Sequence, residues 1–349
     1  AGADDGGVWA VVPIARSVGG EATEAGIRVA GAGSIRLSLK GSELHGDSVL
    51  VITAELDGAR QVLTSETLTQ WGQTSAYFNG DGVRVELFGP GRVHVDSAWI
   101  RVQPEGADGF GSRTLCGPES RTATTHAAIG RMLPATCTAF VIADLNGSLV
   151  SAGHCLPGLG TVIEFNVPAS DSLGLLVHPD PDDQYVVEPT SVQRALTGAG
   201  NDWAYFGVFP NAGTGLTPFQ AQGARFSIAN AAAPVSGEQV IVTGFGSVLA
   251  PADLSLNYAM KTDGGPLASL AGSVVRHGVD TTDGNSGSPI YSPMRDAVIA
   301  VHTHGGCSAS GGTNQGTAMQ NAGFLAARQN PRGVCASGAA AGTSELIAA

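Results

Sequence analysis

Ser286 lies in the run Asp280-Thr-Thr-Asp-Gly-Asn-Ser-Gly-Ser-Pro-Ile290, a hydroxyl inside a glycine-rich loop that leads into an apolar strand. Gly284 and Gly287 permit a tight turn there. Such a turn can aim the amides of Gly284 and Ser286 at one point, where an oxyanion would form. A serine hydroxyl is a poor nucleophile at neutral pH, so it needs a base, and the base needs an orienting carboxylate. Ser151-Ala-Gly-His-Cys155 closes an apolar strand and offers His154 as that base. Asn201-Asp-Trp-Ala-Tyr-Phe206 offers Asp202 at the head of an apolar run, where low polarity strengthens its hold on an imidazolium. The chemistry these three types perform together is acylation of the serine.

The elements that must position them read as short strands. Thr138-Ala-Phe-Val-Ile142, Val186-Val187 and Gln239-Val-Ile-Val-Thr-Gly-Phe245 are apolar runs with few helical periods between them, which two β-barrels with a cleft between them would house. Cys137 precedes the first of these strands by a distance that suits a bridge to Cys155, and such a bridge would fix the histidine loop. Upstream, Ser34-Ile-Arg-Leu-Ser-Leu39, Val49-Leu-Val-Ile-Thr53, Val83-Arg-Val-Glu-Leu87 and Trp99-Ile-Arg-Val102 alternate apolar and polar residues around turns at Asp57-Gly58 and Asn79-Gly-Asp-Gly82. That pattern predicts a β-sandwich of about seven or eight strands. Turn residues from Pro104 to Ser112 mark a boundary, giving a sandwich over 1–112, a second β unit over 113–335 and a small, polar tail over 336–349. The first unit reads as an accessory or targeting domain, or as an inhibitory or folding pro-segment.

Composition narrows the partners. The 349 residues include 50 Gly and 18 Pro with only 14% charged, which suits strands and turns better than helical bundles. A net charge of −12 argues against nucleic acid and anionic membranes, both of which reward clustered Lys and Arg. No apolar run reaches the roughly 20 residues of a transmembrane helix, and no signal-peptide pattern opens the chain. Five cysteines, all at or after Cys116 and without metal-ligand spacing, predict disulfides, an oxidising extracellular setting and no metal or other cofactor. Asn79–Gly82 and the acidic loop of Asp180, Asp182 and Asp183 offer oxygens for calcium, but read more simply as a solvated hairpin turn and a solvated loop.

Ser151 to Cys155, Asp202-Trp-Ala and Gly284-Asn-Ser-Gly-Ser-Pro289, in that order and spacing, resemble the chymotrypsin-like serine endopeptidases over residues 113–335. The resemblance implies an all-β fold with two six-stranded barrels and polypeptide substrates. It assigns His154 as general base and acid, Asp202 as its orienter, Ser286 as nucleophile, and the Gly284 and Ser286 amides as the oxyanion hole. Within that superfamily, Asp280-Thr281 and Ala300-Val-His-Thr-His-Gly-Gly306 resemble the bacterial glutamyl endopeptidases. There, the residues matching Thr281 and His302 bind the carboxylate of a P1 glutamate; Gly305 would border the same pocket.

Two departures complicate this. Asp283 stands where the group usually has glycine, and Asp280 at the pocket base would instead attract Arg or Lys, a trypsin-like alternative. A protease-like but inert domain in a secreted binding protein is a further alternative, against which the three intact residues argue. His304 reads as a pocket-wall or surface residue, and His45, His94, His126, His178 and His277 as structural or solvated. A second bridge is expected between Cys307 and Cys335, leaving Cys116 unpaired, although spacing alone does not fix connectivity.

Overall fold

In the computed structural model, residues 8–20, 23–102, 113–156, 158, 160–229, 236–248, 252–308 and 310–336 are described. The expected boundary segment 104–112 lies outside them, as does the tail beyond residue 336. The chain is all-β, with α-helices only at Ser65–Gln70, Pro218–Gln222 and Ala322–Gln329 among these residues, besides single 3-10 turns.

The alternating runs of the first hundred residues form two antiparallel sheets. One orders Val8–Val18, Gly91–Val102, Ser34–Ser38 and Phe78–Asn79, with Glu43–Leu44 also on the Gly91–Val102 strand; the other orders Glu24–Arg28, Gly82–Phe88, Val49–Ala54 and Arg60–Leu63. Their apolar faces meet through Ile35, Leu37, Leu50, Ile52, Val83, Val85, Val95 and Ile100. Nine strands build the sandwich, against the seven or eight expected, because Glu43–Leu44 and Phe78–Asn79 are two-residue pieces too short to carry a period.

Ser34–Ser38 is buried along its whole length, although its sequence alternates. Its polar face does not meet water; it lies against the first barrel. The Arg36 guanidinium donates to Ser75 O (2.9 Å), Tyr77 Oη (3.1 Å), Thr74 Oγ1 (2.7 Å) and, across the junction, Gly160 O (2.8 Å). Gln184 exchanges two hydrogen bonds with the Tyr77 backbone, and Asn79 two with the His178 backbone. Leu133, Val162, Leu176, Val186 and Tyr258 of the later chain pack into the same apolar cluster as the sandwich core.

The first barrel orders Gln184–Val186, Val162–Glu164, Ile129–Leu133, Cys137–Val141, Leu149–Ser151 and Asp202–Phe206, with Gln193–Leu196 paired on the outer edge of the last. The two ends join through a Val187–Val208 bridge and the bonds Phe209 N–H to Val186 O and Glu188 N–H to Gly207 O, each 3.0 Å. The second barrel is a closed ring of Gln239–Gly244, Lys261–Ala271, Val274–His277, Asn314–Ala318, Ala297–His304 and Pro289–Ser292. The two barrels together make the expected chymotrypsin-like double barrel. The helix Ala322–Gln329 returns across the first barrel and sets Phe324 against Trp203 and Tyr205.

One expected bridge is present and one is corrected. Cys137 and Cys155 are bonded, with Cα atoms 6.0 Å apart. Cys307 pairs with Cys116 rather than with Cys335. The cause is local: Arg113–Thr114 pairs with Thr281–Thr282, while Asn314 accepts from the Gly306 and Cys307 amides and donates to Thr114 O, which brings residues 114–116 beside Cys307. Cys335 ends the chain's return to the other barrel, buried against Gly207, and is the free cysteine. Burial pushes its thiol up to about 11, so it stays protonated.

Candidate active site

His154 sits in a single 3-10 turn, Gly153–Cys155, directly after the strand Leu149–Ser151. Glycine is required at 153 because a Cβ there would lie 1.9 Å from Ala195 O on the neighbouring hairpin. The Cys137 bridge holds the turn from its far side. Since both sulfurs are in that bond, Cys137 and Cys155 offer no thiolate beside His154 for a metal.

Asp202 opens the strand Asp202–Phe206 and is buried, whereas the His154 side chain is 42% exposed. One Asp202 oxygen lies 2.6 Å from His154 Nδ1, and the other accepts the His154 amide at 3.1 Å. The same carboxylate therefore fixes both the ring and the backbone that carries it. With Nδ1–H given to Asp202, the ring presents the Nε2 lone pair outward. The Asp202 amide in turn donates to Thr317 Oγ1 of the second barrel at 3.1 Å, tying the pair to that barrel.

The Ser286 loop is held against the strand that precedes His154 through Thr138. Its amide donates to Ser286 O (2.8 Å), its hydroxyl to Gly284 O (2.9 Å), and its carbonyl accepts Ser151 Oγ–H (2.7 Å). Cys155 Sγ lies 3.7 Å from Ser286 O, so the turn carrying His154 abuts the serine. Gly284 and Gly287 have φ of +97° and +89°, and a Cβ on either would lie about 2 Å from a carbonyl oxygen of Phe245 or Thr138. Two glycines are thus demanded by conformation and by space.

Within this loop the amides of Asn285, Gly287 and Ser288 donate to Thr282 O, His302 O and Asn285 O. Those of Gly284 and Ser286 have no acceptor among the described residues. Two donors of this loop are thus unengaged, and the half-buried Ser286 hydroxyl makes no hydrogen bond to the His154 ring or to any other described residue.

The residues expected around a substrate side chain are arranged unevenly. His302 is buried on Ala297–His304, its Nδ1 3.2 Å from Nε2 of His277. His277 Nδ1 accepts the Val279 amide, so its Nε2 carries the proton and donates to His302, leaving His302 Nε2 as an N–H donor. Burial pushes His277 down to about 3 and holds His302 well below its ordinary value, with His277, His304 and His154 adding to the effect. Both rings are neutral. His304 packs against the His154 ring, with centroids 6.2 Å apart, as a wall residue would.

Thr281 is fully buried, and its hydroxyl is 2.7 Å from that of Thr114. Gly305 leaves room for the same Thr114 side chain, since a Cβ on it would lie 1.9 Å away. Asp280 is buried and accepts the Cys116 amide (2.6 Å), the Ser120 amide (3.1 Å) and the Ser120 hydroxyl (2.9 Å). Of the two possible calcium loops, Asn79 is engaged with His178 and Asp57, Asp81 pairs with Arg28, and Asp180 caps the turn Pro181–Asp183.

Thr138, Thr114, Thr317 and His277 escaped the sequence reading. None stands in a recognisable string. Only the proximity of Thr138 to Cys137 carried any signal, whereas His277 had been set aside as structural.

No family model matches the chain, and no curated protein is significantly similar to it. Three solved structures to which it is similar are proteases by their descriptions. A Glu endopeptidase in complex with MPD has 15% identity and a TM-score of 0.47, covering 62% of this chain and 98% of its own. The thermostable serine protease AL20 from an extremophilic microorganism has 18% identity and a TM-score of 0.43, covering 58% and 98%. The protease Anisep from Arthrobacter nicotinovorans has 16% identity and a TM-score of 0.44, covering 59% and 99%.

Proposed function

We propose that the protein is a serine endopeptidase that cleaves polypeptides through an acyl-enzyme on Ser286. The observation that carries this reading is the pair of unengaged amides, Gly284 and Ser286, in a serine loop abutted by the turn of a histidine already oriented by a buried carboxylate. In the reaction, Nε2 of His154 takes the Ser286 proton as Oγ attacks the scissile carbonyl, and Asp202 stabilises the resulting imidazolium. The two amides receive the charge that develops on the carbonyl oxygen. Nε2 then returns the proton to the leaving amine, and a water activated by the same nitrogen hydrolyses the ester. Closing the Ser286–His154 hydrogen bond belongs to the substrate complex, where such contacts tighten.

For the residue before the cut, the reading favours Glu. The His302 N–H, braced from behind by His277, is a donor suited to a carboxylate. Asp280, which a basic side chain would need, is already engaged by two amides and a hydroxyl. Two disulfides fit an extracellular setting. Among the described residues no helix is long and apolar enough to cross a membrane.

Digestion of a peptide library, read by mass spectrometry, tests activity and preference together. Wild type should cut after Glu, and Ser286→Ala should lose at least roughly 10⁴-fold in kcat with its fold intact, as should His154→Ala, since residues acting as one unit are not additive. Turnover by Ser286→Ala near that of wild type would refute the assignment; faster cutting after Arg or Lys, abolished by Asp280→Ala, would refute the preference.

A further inference from the structure

Arg121 belongs to neither barrel, yet its side chain is only 2% exposed. It leaves the segment that begins at the Cys116–Cys307 bridge and passes Asp280 through Ser120. Its guanidinium has five N–H donors, and five acceptors surround it. Nε and one Nη2 hydrogen go to the Glu119 carboxylate (2.7 and 2.6 Å), the other Nη2 hydrogen to Ser247 O (2.9 Å), and Nη1 to Thr282 Oγ1 (2.5 Å) and Asn285 Oδ1 (3.3 Å).

The last two acceptors define the base of the nucleophile loop. Asn285 Oδ1 also accepts the Thr282 amide (3.0 Å), and the Asn285 amide returns to Thr282 O (3.0 Å). Thr282 Oγ1 donates to Ser247 O, and the Ser247 amide donates to Asp283 O. Gly246 makes space for the arrangement, because a Cβ there would lie within 2.2–2.6 Å of Asn285 Oδ1, Arg121 Nη1 and Thr282 Oγ1. Gly284 lies between these anchored residues, one step from Asn285 and two from Ser286.

We infer that Arg121 is a positioning residue for the oxyanion hole. It holds Thr282 and Asn285 so that the Gly284 and Ser286 amides stay unengaged and face the same side. It has no donor left for a substrate. Lysine, with one nitrogen, cannot reach Glu119, Ser247, Thr282 and Asn285 from one position. The inference rests on the serine endopeptidase reading, and two readouts separate the fates of the two.

The first readout is steady-state hydrolysis of a Glu peptide by the full chain carrying Arg121→Lys. The expected change is a fall in kcat of about tenfold to a thousandfold, as for a disordered oxyanion donor, with KM within about threefold of wild type. The second needs no activity: hydrogen exchange of the peptide spanning residues 281–288 should be faster in Arg121→Lys, while that spanning 149–155 is unchanged. If Arg121→Lys does not fold, Thr282→Val, which removes one Nη1 acceptor at near-constant volume, should move both readouts the same way. Wild-type exchange at 281–288 in a folded variant would overturn the positioning role even if the chain proved to be no peptidase. A raised KM at unchanged kcat would overturn it as well, by placing Arg121 in substrate binding.

Discussion

Asp202 makes two contacts with His154, one to the ring and one to the backbone, and this double hold is what an isolated string such as Asp-Trp-Ala does not display. The strings carrying His154, Asp202 and Ser286 were legible because their residue types are rare in such order. The surroundings of the substrate side chain were only partly so. His302 was singled out, but its partner His277 lies 25 residues earlier and is brought to it by strand pairing through Asn314–Ala318. His302→Ala should lower kcat/KM for Glu peptides by about tenfold to a thousandfold, the effect of removing one hydrogen bond to a charged group. An equal loss for Gln and Glu peptides would detach His302 from carboxylate recognition.

The buried His277–His302 pair also sets a pH dependence. Both are neutral when folded, His277 down at about 3 against an ordinary 6.5, so the unfolded chain takes up protons first as pH falls. Their contribution to stability is therefore complete above about pH 6.5 and is lost progressively as pH drops from there toward the folded values. Thermal unfolding followed from pH 7 to pH 4 should show a steeper fall in wild type than in His277→Gln. Equal slopes would contradict the burial argument.

At the scale of elements, several strands with a clean alternation or a continuous apolar run were recovered within a residue or two, as Thr138–Ile142 against the observed Cys137–Val141 shows, whereas Trp99–Val102 is only the end of the longer Gly91–Val102. What failed was anything set by long-range pairing. The Cys116–Cys307 bridge spans a separation of 191 residues and follows from Arg113–Thr114 adding to Thr281–Thr282, a two-residue contact without a sequence pattern. The helix Ala322–Gln329 has eight residues, too few for its period to stand out among small side chains. By contrast the Cys137–Cys155 bridge, with a separation of only 18, was legible. Replacing both cysteines with serine should cost about 2–4 kcal/mol, read by denaturant unfolding, and should lower kcat by loosening the His154 turn. An unchanged midpoint and kcat would show that Gly153 packing and Asp202 suffice to hold it.

On the scale of the whole molecule, the polar positions of the alternating strand Ser34–Ser38 lie in the interior as fully as its apolar ones. Arg36 bridges to Gly160, Gln184 to Tyr77, and Leu133, Val162 and Val186 of the barrel complete the sandwich core. Removing the sandwich would expose these groups and break the two Gln184–Tyr77 hydrogen bonds, leaving the Gln184 side chain only its bond to Pro179 O. The two parts should therefore unfold together, with tryptophan fluorescence and far-UV circular dichroism giving coincident transitions. Arg36→Ala should lower that shared midpoint, losing about 2–4 kcal/mol of charged hydrogen bonding. Two separate transitions in wild type would show instead that the sandwich is an independent body resting on the barrel.

Acylation of Ser286 requires its hydroxyl to be activated by His154 and served by the Gly284 and Ser286 amides, an activation the wild-type chain should display on its own. It is tested most directly by treating the folded chain with an organophosphonate that reacts only with an activated serine, and locating the adduct by peptide mass spectrometry. The expected result is one adduct, on Ser286, absent from Ser286→Ala and formed far more slowly in His154→Ala. An unlabelled wild-type protein, or an adduct on another serine that persists in Ser286→Ala, would contradict it.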